Sequence, residues 1–372
     1  MLLGAGHAHL DVLRRTAEFT SRGFELVLVA PGAFWYSGLA TGVLGGLYPP
    51  SLDQVDVGAL VTIGGGTFFE EQATAINLEA RFVTLHSGAS VAYDVVSLNV
   101  GSDVPAEAID GLAEHAFLVK PISNLWQLRR SLEDRFPEAT AERPVRITIA
   151  GGGATACELA GNIRRLAEAH DASVEITILS TGVRLLEAFP TGAALRVERS
   201  LMSRHVQIVL RTKVVRVEPG AALTADGRRF EHDILVGAIG LRPSPLMRSA
   251  GLYTNPDGAM LVDEHLRSVN DPLVFGGGDC VALVGRDLPK IGVYAVREAP
   301  ALFHNLIATL EGKPLHPYRP QRRYLLILNL GDGTGLATWG QFSWLGRFPF
   351  WLKDRIDRGF LNKFQRPVQQ RS

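Results

Sequence analysis

Short apolar runs that end in glycine recur along the chain, and several lead into stretches with helical spacing. Leu10, Leu13 and Ala17 share one face of a helix predicted over 9–22, which Gly23 ends. Residues 24–30 are almost continuously apolar, as a strand buried on both faces requires. The same order returns as a strand at Val145–Ala150, a helix over 155–169 and a strand at Val174–Leu179. Further strands are predicted over 91–100 and 234–240, and an apolar helix over Gly292–Leu310. Two strands, 324–330 and 335–342, flank the turn Gly331-Asp332-Gly333, and a basic, aromatic helix covers 348–364. Residues 34–50, rich in glycine, proline and aromatics, read as an ordered loop with a short helix. The pattern is α/β and nested. One domain over 1–115 and 245–310 is interrupted by a second over 116–244, and a short α+β region follows over 311–372.

Two of the strand–helix junctions are glycine turns: Gly4-Ala5-Gly6-His7-Ala8-His9 and Gly151-Gly152-Gly153-Ala154-Thr155-Ala156. In each, the first glycine permits the tight turn. The second, Gly6 or Gly153, lets a pyrophosphate approach backbone at a helix N-terminus, where free N–H groups and the dipole favour anions. The third position, usually glycine for close helix–strand packing, is His9 in one turn and Ala156 in the other. Both domains therefore read as Rossmann-like. His7 and His9 are expected to be structural residues of the phosphate turn. Glu158 is expected to orient a nicotinamide carboxamide or to close the helix entry. The acid that commonly holds the adenosine ribose is missing from both second strands, which end at Ala30-Pro31 and Leu179-Ser180. Ser180 and Arg184 are candidates to hold a 2′-phosphate, so NADH, NADPH and a site that takes neither all stay open.

A third motif, Gly276-Gly277-Gly278-Asp279, follows the apolar run 273–275. A carboxylate there can accept from a ribityl hydroxyl of a flavin; a plain turn aspartate is the alternative. The helix after it would aim its first residues, Gly292 and Val293, at the ring edge where negative charge develops on reduction. Two glycine turns and a Gly-Asp suggest FAD held as cofactor and NAD(P)H visiting as substrate, hence a flavin-dependent oxidoreductase.

Composition narrows this reading. Thirty-eight basic residues balance 38 acidic ones, which gives no whole-chain case for nucleic acid. With 372 residues and 46% apolar content, about two domains is the expectation. Cys157 and Cys280 are the only cysteines and lack metal-binding spacing, so neither a metal site nor a disulfide framework is expected. A cytoplasmic, reducing setting is the default. No secretory signal is read, and no apolar run approaches the ~20 residues needed to span a bilayer. Only Met1-Leu2-Leu3 precede the first glycine, where a strand of about five or six residues is usual. An upstream start, or a trimmed one, is the expectation.

The whole chain resembles the FAD-dependent pyridine nucleotide-disulfide oxidoreductases of the type II NADH dehydrogenase-like branch. It is most similar to the FAD-containing domain found fused to selenide, water dikinase. The likeness is carried by 4–13 (GAGHAHLDVL), Tyr36-Ser37-Gly38, 93–102 (YDVVSLNVGS, which includes Gly101), Val119-Lys120-Pro121-Ile122 and 151–160. It continues through Gly278-Asp279-Cys280, 289–302 (PKIGVYAVREAPAL) and 351–364 (WLKDRIDRGFLNKF). It implies a glutathione-reductase-like arrangement, hydride transfer from NAD(P)H to FAD, and passage of electrons to a quinone-like acceptor. Tyr36, Ser37 and Gly38 match the loop that approaches the flavin ring. Lys120 and Lys290 are candidates to stabilise the reduced flavin, with solvated surface lysines as the alternative. The disulfide reductases need a cysteine pair against the flavin; no cysteine lies in 34–46, so dithiol relay is not expected. With no kinase domain present, no selenium role is carried over.

In the tail, Leu352, Ile356, Phe360 and Phe364 recur four residues apart, after Trp344, Phe348, Phe350 and Trp351. Lys353, Arg355, Arg358 and Lys363 interleave with them. This helix is expected either to lie in a membrane interface, as a peripheral contact on the cytoplasmic face, or to pack on its own domain or a homodimer partner. Two rival functions stay open: a sulfide:quinone-type oxidoreductase, and a non-enzymatic flavin or nucleotide sensor.

Overall fold

The computed structural model describes residues 1–370. The chain opens with β1 (Leu2–Leu3), α1 (His7–Arg14), β2 (Val27–Val29), α2 (Ser37–Leu44), β3 (Thr67–Phe69) and β4 (Val96–Leu98). It then leaves to build β5 (Phe117–Leu118), β6 (Val145–Ala150), α3 (Ala154–Ala169), β7 (Val174–Leu179), β8 (Val206–Val209) and β9 (Ile234–Gly237). It returns with β10 (Val274–Gly276) and α4 (Gly292–Leu310). Last come β11 (Leu325–Asn329), β12 (Gly335–Trp339), β13 (Phe342–Gly346) and α5 (Arg347–Gln369).

Two five-stranded parallel sheets result. The first has the order β10-β4-β1-β2-β3 and the second β5-β9-β6-β7-β8. Both are Rossmann-type, with the glycine-turn strand, β1 or β6, at the centre. Parallel strands buried on both faces explain the unbroken apolar runs. Leu2, Leu3, Leu28, Val29, Val96 and Leu98 are all buried in the first core. Ile147, Ile149, Ile176 and Ile178 are buried in the second.

Several predicted elements change in extent. The helix over 9–22 is interrupted at Arg15, after which Thr16–Thr20 is a separate short helix. Buried Thr16 turns its hydroxyl back onto the Leu13 carbonyl at 2.7 Å, a contact that competes with helix propagation. The region 91–100 divides into an edge strand, Ser90–Ala92, and the core strand β4. A third C-terminal strand, β13, is also present. It pairs antiparallel with β12 and turns at Gly340, whose φ is +58°. The sequence pattern ends a predicted strand at Phe342 and leaves Trp344 among the aromatics ahead of the tail helix, so this strand is missed.

The tail packs on the chain itself. α5 seats Leu361 and Phe364 in the first core, each burial contributing about 1.5–3 kcal/mol. Among the described residues no helix is long and apolar enough to cross a membrane.

Candidate active site

Both glycine turns and the Gly-Asp motif open into one cleft of about 1740 Å³, far larger than a drug-sized pocket. The polypeptide supplies the same device twice. Gly4 takes φ +79°, and a Cβ there would lie 2.5 Å from the Asn99 carbonyl. Gly151 takes φ +134°, and a Cβ would lie 2.1 Å from the Ala238 carbonyl. Each glycine lets the central strand's end touch the neighbouring strand while the chain turns into a helix.

Asn99, which belongs to none of the three motifs, joins two of them. Its Oδ1 accepts from the amides of Ala8 and His9 at 3.0 and 3.2 Å, capping α1. Its Nδ2 donates to the Gly277 carbonyl at 2.6 Å. The amides of Ala5 and His7 then have no hydrogen-bond partner among the described residues, and both line the cleft. They are the donors left for a pyrophosphate. Buried Glu298 of α4 accepts from the Gly278 amide at 2.6 Å and so fixes the Gly-Asp turn; burial raises its carboxyl to about 7.

The imidazole of His7 faces the cleft among Phe34, Tyr36 and Phe360, with ring centroids 5.0, 5.4 and 6.1 Å away. A Cβ on Gly292 would come within 3.3 Å of its Nε2. That buried nitrogen has no partner among the described residues, and burial holds the ring neutral, with its pKa lowered to about 4. His9, unlike His7, faces away from the cleft. It is fully buried behind the turn, with Nδ1 2.6 Å from the Gly4 carbonyl and Nε2 2.8 Å from Ser97 Oγ. It braces the turn from the core and does not line the cleft. Ala156 likewise is buried against the second sheet and serves packing alone.

Asp279 lines the cleft, with Oδ2 accepting from Ser102 Oγ at 2.8 Å. Lys290 Nζ donates to the Asp279 carbonyl at 2.7 Å, which ties its ammonium to the turn. Gly292 and Val293 begin α4 without a side-chain cap, and their amides have no partner among the described residues. Gly101, Gly278 and Lys120 line the same region. An orphaned buried imidazole nitrogen, the free amides of Ala5 and His7, the uncapped start of α4 and a carboxylate beside a glycine turn together fit a flavin dinucleotide.

Tyr36, Ser37 and Gly38 also line the cleft, at the start of α2. Tyr36 donates to Asp357 Oδ1 at 2.9 Å, and Lys353 Nζ donates to Asp357 Oδ2 and to the Gly38 carbonyl, both at 2.6 Å. Phe360 stacks on Tyr36 at 5.0 Å. Behind them Asp53 is fully buried, and neither carboxylate oxygen has a partner among the described residues. Burial and the charge of Asp357 raise its pKa to about 8. These tail–loop contacts have no sequence signal, because the partners lie in distant segments.

At the second turn, Gly153 presents open space where a Cβ would be, and Gly151 and Gly153 both line the cleft. Glu158 lines it too, but its Oε1 accepts from the Asn329 amide at 2.6 Å, fastening α3 to β11. Burial raises its carboxyl to about 7. Arg184, a candidate phosphate ligand, spends its guanidinium on the carbonyls of Leu185, Leu186, Glu187 and Phe189 at 2.6–3.1 Å. Ser180 is buried and accepts from the Gly182 amide at 3.2 Å. Cys157 and Cys280 are fully buried, do not line the cleft, and have thiols raised by burial, so they are inert. No group suited to holding a metal ion occurs among the described residues.

Comparison with known proteins agrees with this geometry. The family model for pyridine nucleotide-disulphide oxidoreductases matches residues 1–305. The type II NADH:quinone oxidoreductase of Haemophilus influenzae is 29% identical over 210 residues, 53% of this chain but only 47% of that protein. The demethylphylloquinone reductase of Synechocystis is 26% identical over 335 residues, 83% of this chain and 80% of that one. Two solved structures share the fold. NDH2 of Plasmodium falciparum in complex with NADH has a TM-score of 0.82 at 14% identity, covering 98% of this chain and 96% of that one. The sulfide:quinone oxidoreductase of Aquifex aeolicus has a TM-score of 0.82 at 16% identity, covering 98% and 91%. Two parallel sheets, each delivering a glycine turn to one cleft beside a Gly-Asp, and a family match across both, lead to one conclusion: the chain belongs to the pyridine nucleotide-disulphide oxidoreductases.

Proposed function

We propose that the protein is an FAD-dependent NAD(P)H dehydrogenase that passes electrons to a quinone. The observation that carries this reading is the shared cleft. It joins the glycine turns to an apolar part formed by Leu326 and Leu328 of β11 and by Ile356 and Phe360 of α5, the last of them beside His7. FAD, when bound, supplies two-electron chemistry between a hydride donor and an acceptor. The chain's part is binding and electrostatics. Amides of Ala5 and His7 would hold its phosphates, and Asp279 would accept from its ribityl chain. Gly292 and Val293, at the positive end of α4, would face the developing negative charge. The turn at Gly153 receives the nicotinamide nucleotide. The apolar wall takes a quinone ring, and Tyr36 and Lys353, both tied to Asp357, bring protic groups to that end. In this reading 1–115 and 245–310 form the flavin domain, 116–244 the nicotinamide domain and 311–372 the quinone-side cover.

The tail supports a peripheral membrane contact. Phe342, Trp344, Phe348 and Trp351 are 80%, 54%, 48% and 53% exposed and form one aromatic face. Arg355 stands over the Trp351 ring. Ile356 is 47% exposed and also lines the cleft, so this face adjoins the apolar end. An apolar acceptor dissolved in a bilayer would enter there. The finer kinship, with the flavin domain found fused to selenide, water dikinase, is supported by the strings at 289–302 and 351–364. The sulfide:quinone alternative lacks a cysteine at the cleft.

The deciding experiment is an anaerobic absorbance titration of the purified protein with NADH and then NADPH, followed by a soluble quinone. Flavin bands that bleach with a reduced nucleotide and return with quinone are expected. Flavin that bleaches with neither nucleotide overturns the reading.

A further inference from the structure

The second nucleotide site lacks the usual acid, yet the fold brings another carboxylate to it. The strand end that would carry the acid is Ser180, and its side chain is turned inward. A Cβ on Gly152 would lie 2.1 Å from Ser180 Oγ, and that hydroxyl accepts from the Gly182 amide, which holds it against the glycine turn. Arg184, the cation that would suit a 2′-phosphate, has both terminal nitrogens occupied by four backbone carbonyls.

Seven residues beyond the strand end, Glu187 folds back over the same place. Its Oε1 accepts from the Val183 amide at 3.0 Å, and a Cβ on Gly182 would lie 2.9 Å from its carboxyl carbon. The loop that carries it is pinned at two points. The Leu186 amide donates to the Gly152 carbonyl of the glycine turn at 2.8 Å, and the Leu185 amide donates to Glu198 at 2.7 Å. Glu187 and Gly182 both line the cleft, and Glu187 Oε2 has no hydrogen-bond partner among the described residues. A carboxylate with a free oxygen, held beside the glycine turn of a dinucleotide site, suits the vicinal hydroxyls of an adenosine ribose. It repels a 2′-phosphate carrying about −1.5 to −2 charges.

We propose that Glu187 takes over the missing strand-end acid and makes the second site select a nucleotide with a free ribose 2′-hydroxyl, NADH rather than NADPH. This rests on the dehydrogenase reading above.

The test is equilibrium binding of ADP-ribose and of 2′-phospho-ADP-ribose to the flavin-loaded protein by calorimetry, for wild type, E187Q and E187D. E187Q keeps an acceptor for the Val183 amide and replaces the free oxygen by a donor. Wild type should bind ADP-ribose at least tenfold more tightly than the phosphorylated ligand. E187Q should lose about tenfold for ADP-ribose and narrow the discrimination, and E187D should recover part of it. In anaerobic flavin reduction, E187Q should raise the half-saturating NADH concentration while leaving the limiting rate unchanged. Preference for the 2′-phosphorylated ligand, or binding that E187Q leaves unaltered, overturns the assignment of Glu187 alone. Binding of neither ligand overturns the nicotinamide site and this inference with it.

Discussion

Tyr36 donates its phenolic hydrogen to Asp357, 321 residues later in the chain, at 2.9 Å. The same carboxylate takes Lys353, so one buried acid binds the loop at Tyr36 to the C-terminal helix. The side chains of Lys353 and Asp357 are only 12% and 7% exposed, and removing one partner strands a desolvated charge. Asp357→Ala should lower stability by about 3 kcal/mol. Asp357→Asn, which keeps an acceptor for Tyr36, should cost less. Denaturant unfolding monitored by tryptophan fluorescence checks both, and equal stability of all three proteins would remove Asp357 from this role.

Asp53 gives stability a pH dependence. Its folded pKa of about 8 lies above the unfolded value near 4, so the native state holds a proton that the unfolded state has lost. Stability from this group is complete below about pH 4 and is lost as the pH rises through 8. His7 and His9, lowered to about 4, act oppositely: their contribution is lost as the pH falls from about 6.5 through 4. Asp53→Asn should therefore flatten the fall in melting temperature between about pH 6.5 and 8 and steepen the rise between about pH 4 and 6.5, where Asp53 opposes the two histidines. An unaltered alkaline limb would show that Asp53 is ionised in the fold.

Gly153 separates binding from folding. A Cβ there meets nothing within 4 Å, so Gly153→Val should change stability by no more than about 0.5 kcal/mol. The same side chain fills the approach to the second glycine turn. Flavin content should stay at the wild-type level while the half-saturating NAD(P)H concentration rises tenfold or more, read by anaerobic flavin reduction. Unchanged nucleotide kinetics would place the substrate elsewhere.

Asp279→Ala removes the carboxylate that Ser102 orients toward the cleft. Hydrogen bonds to charged groups contribute about 1.5–3 kcal/mol, so flavin affinity should fall by a factor of about 10 to 100. The ratio of flavin to protein absorbance after dialysis measures it. Full retention would refute the contact.

The exposed aromatic face predicts a surface preference. Phe348→Ser combined with Trp351→Ser should abolish co-sedimentation with anionic phospholipid vesicles while turnover with a water-soluble quinone persists. If the wild type ignores vesicles but is a dimer that the double substitution splits, the face is a subunit interface instead.

The sequence by itself determined the two glycine turns, their central strands and the late Gly-Asp. These are local demands: a positive φ at Gly4 and Gly151, and apolar runs wherever parallel strands are buried on both faces. Tertiary structure decided the rest. Asn99 and Glu298 carry no motif, yet they fix the turns around the cleft, because hydrogen bonds between distant segments leave no periodic trace. His9 occupies a motif position but faces the core, since the first turn of the helix His7–Arg14 directs that position toward Ser97. Arg184 looked like a phosphate ligand until its donors were found on four carbonyls of its own loop. The amphipathic tail had two open fates in the sequence. Burial of Leu361 and Phe364 and the Lys353–Asp357 pair seat one side of it on the first domain and leave its aromatics and the basic residues Arg355, Arg358 and Lys363 exposed. Periodicity marks which side chains prefer to leave water, and only the assembled chain decides which surface receives them.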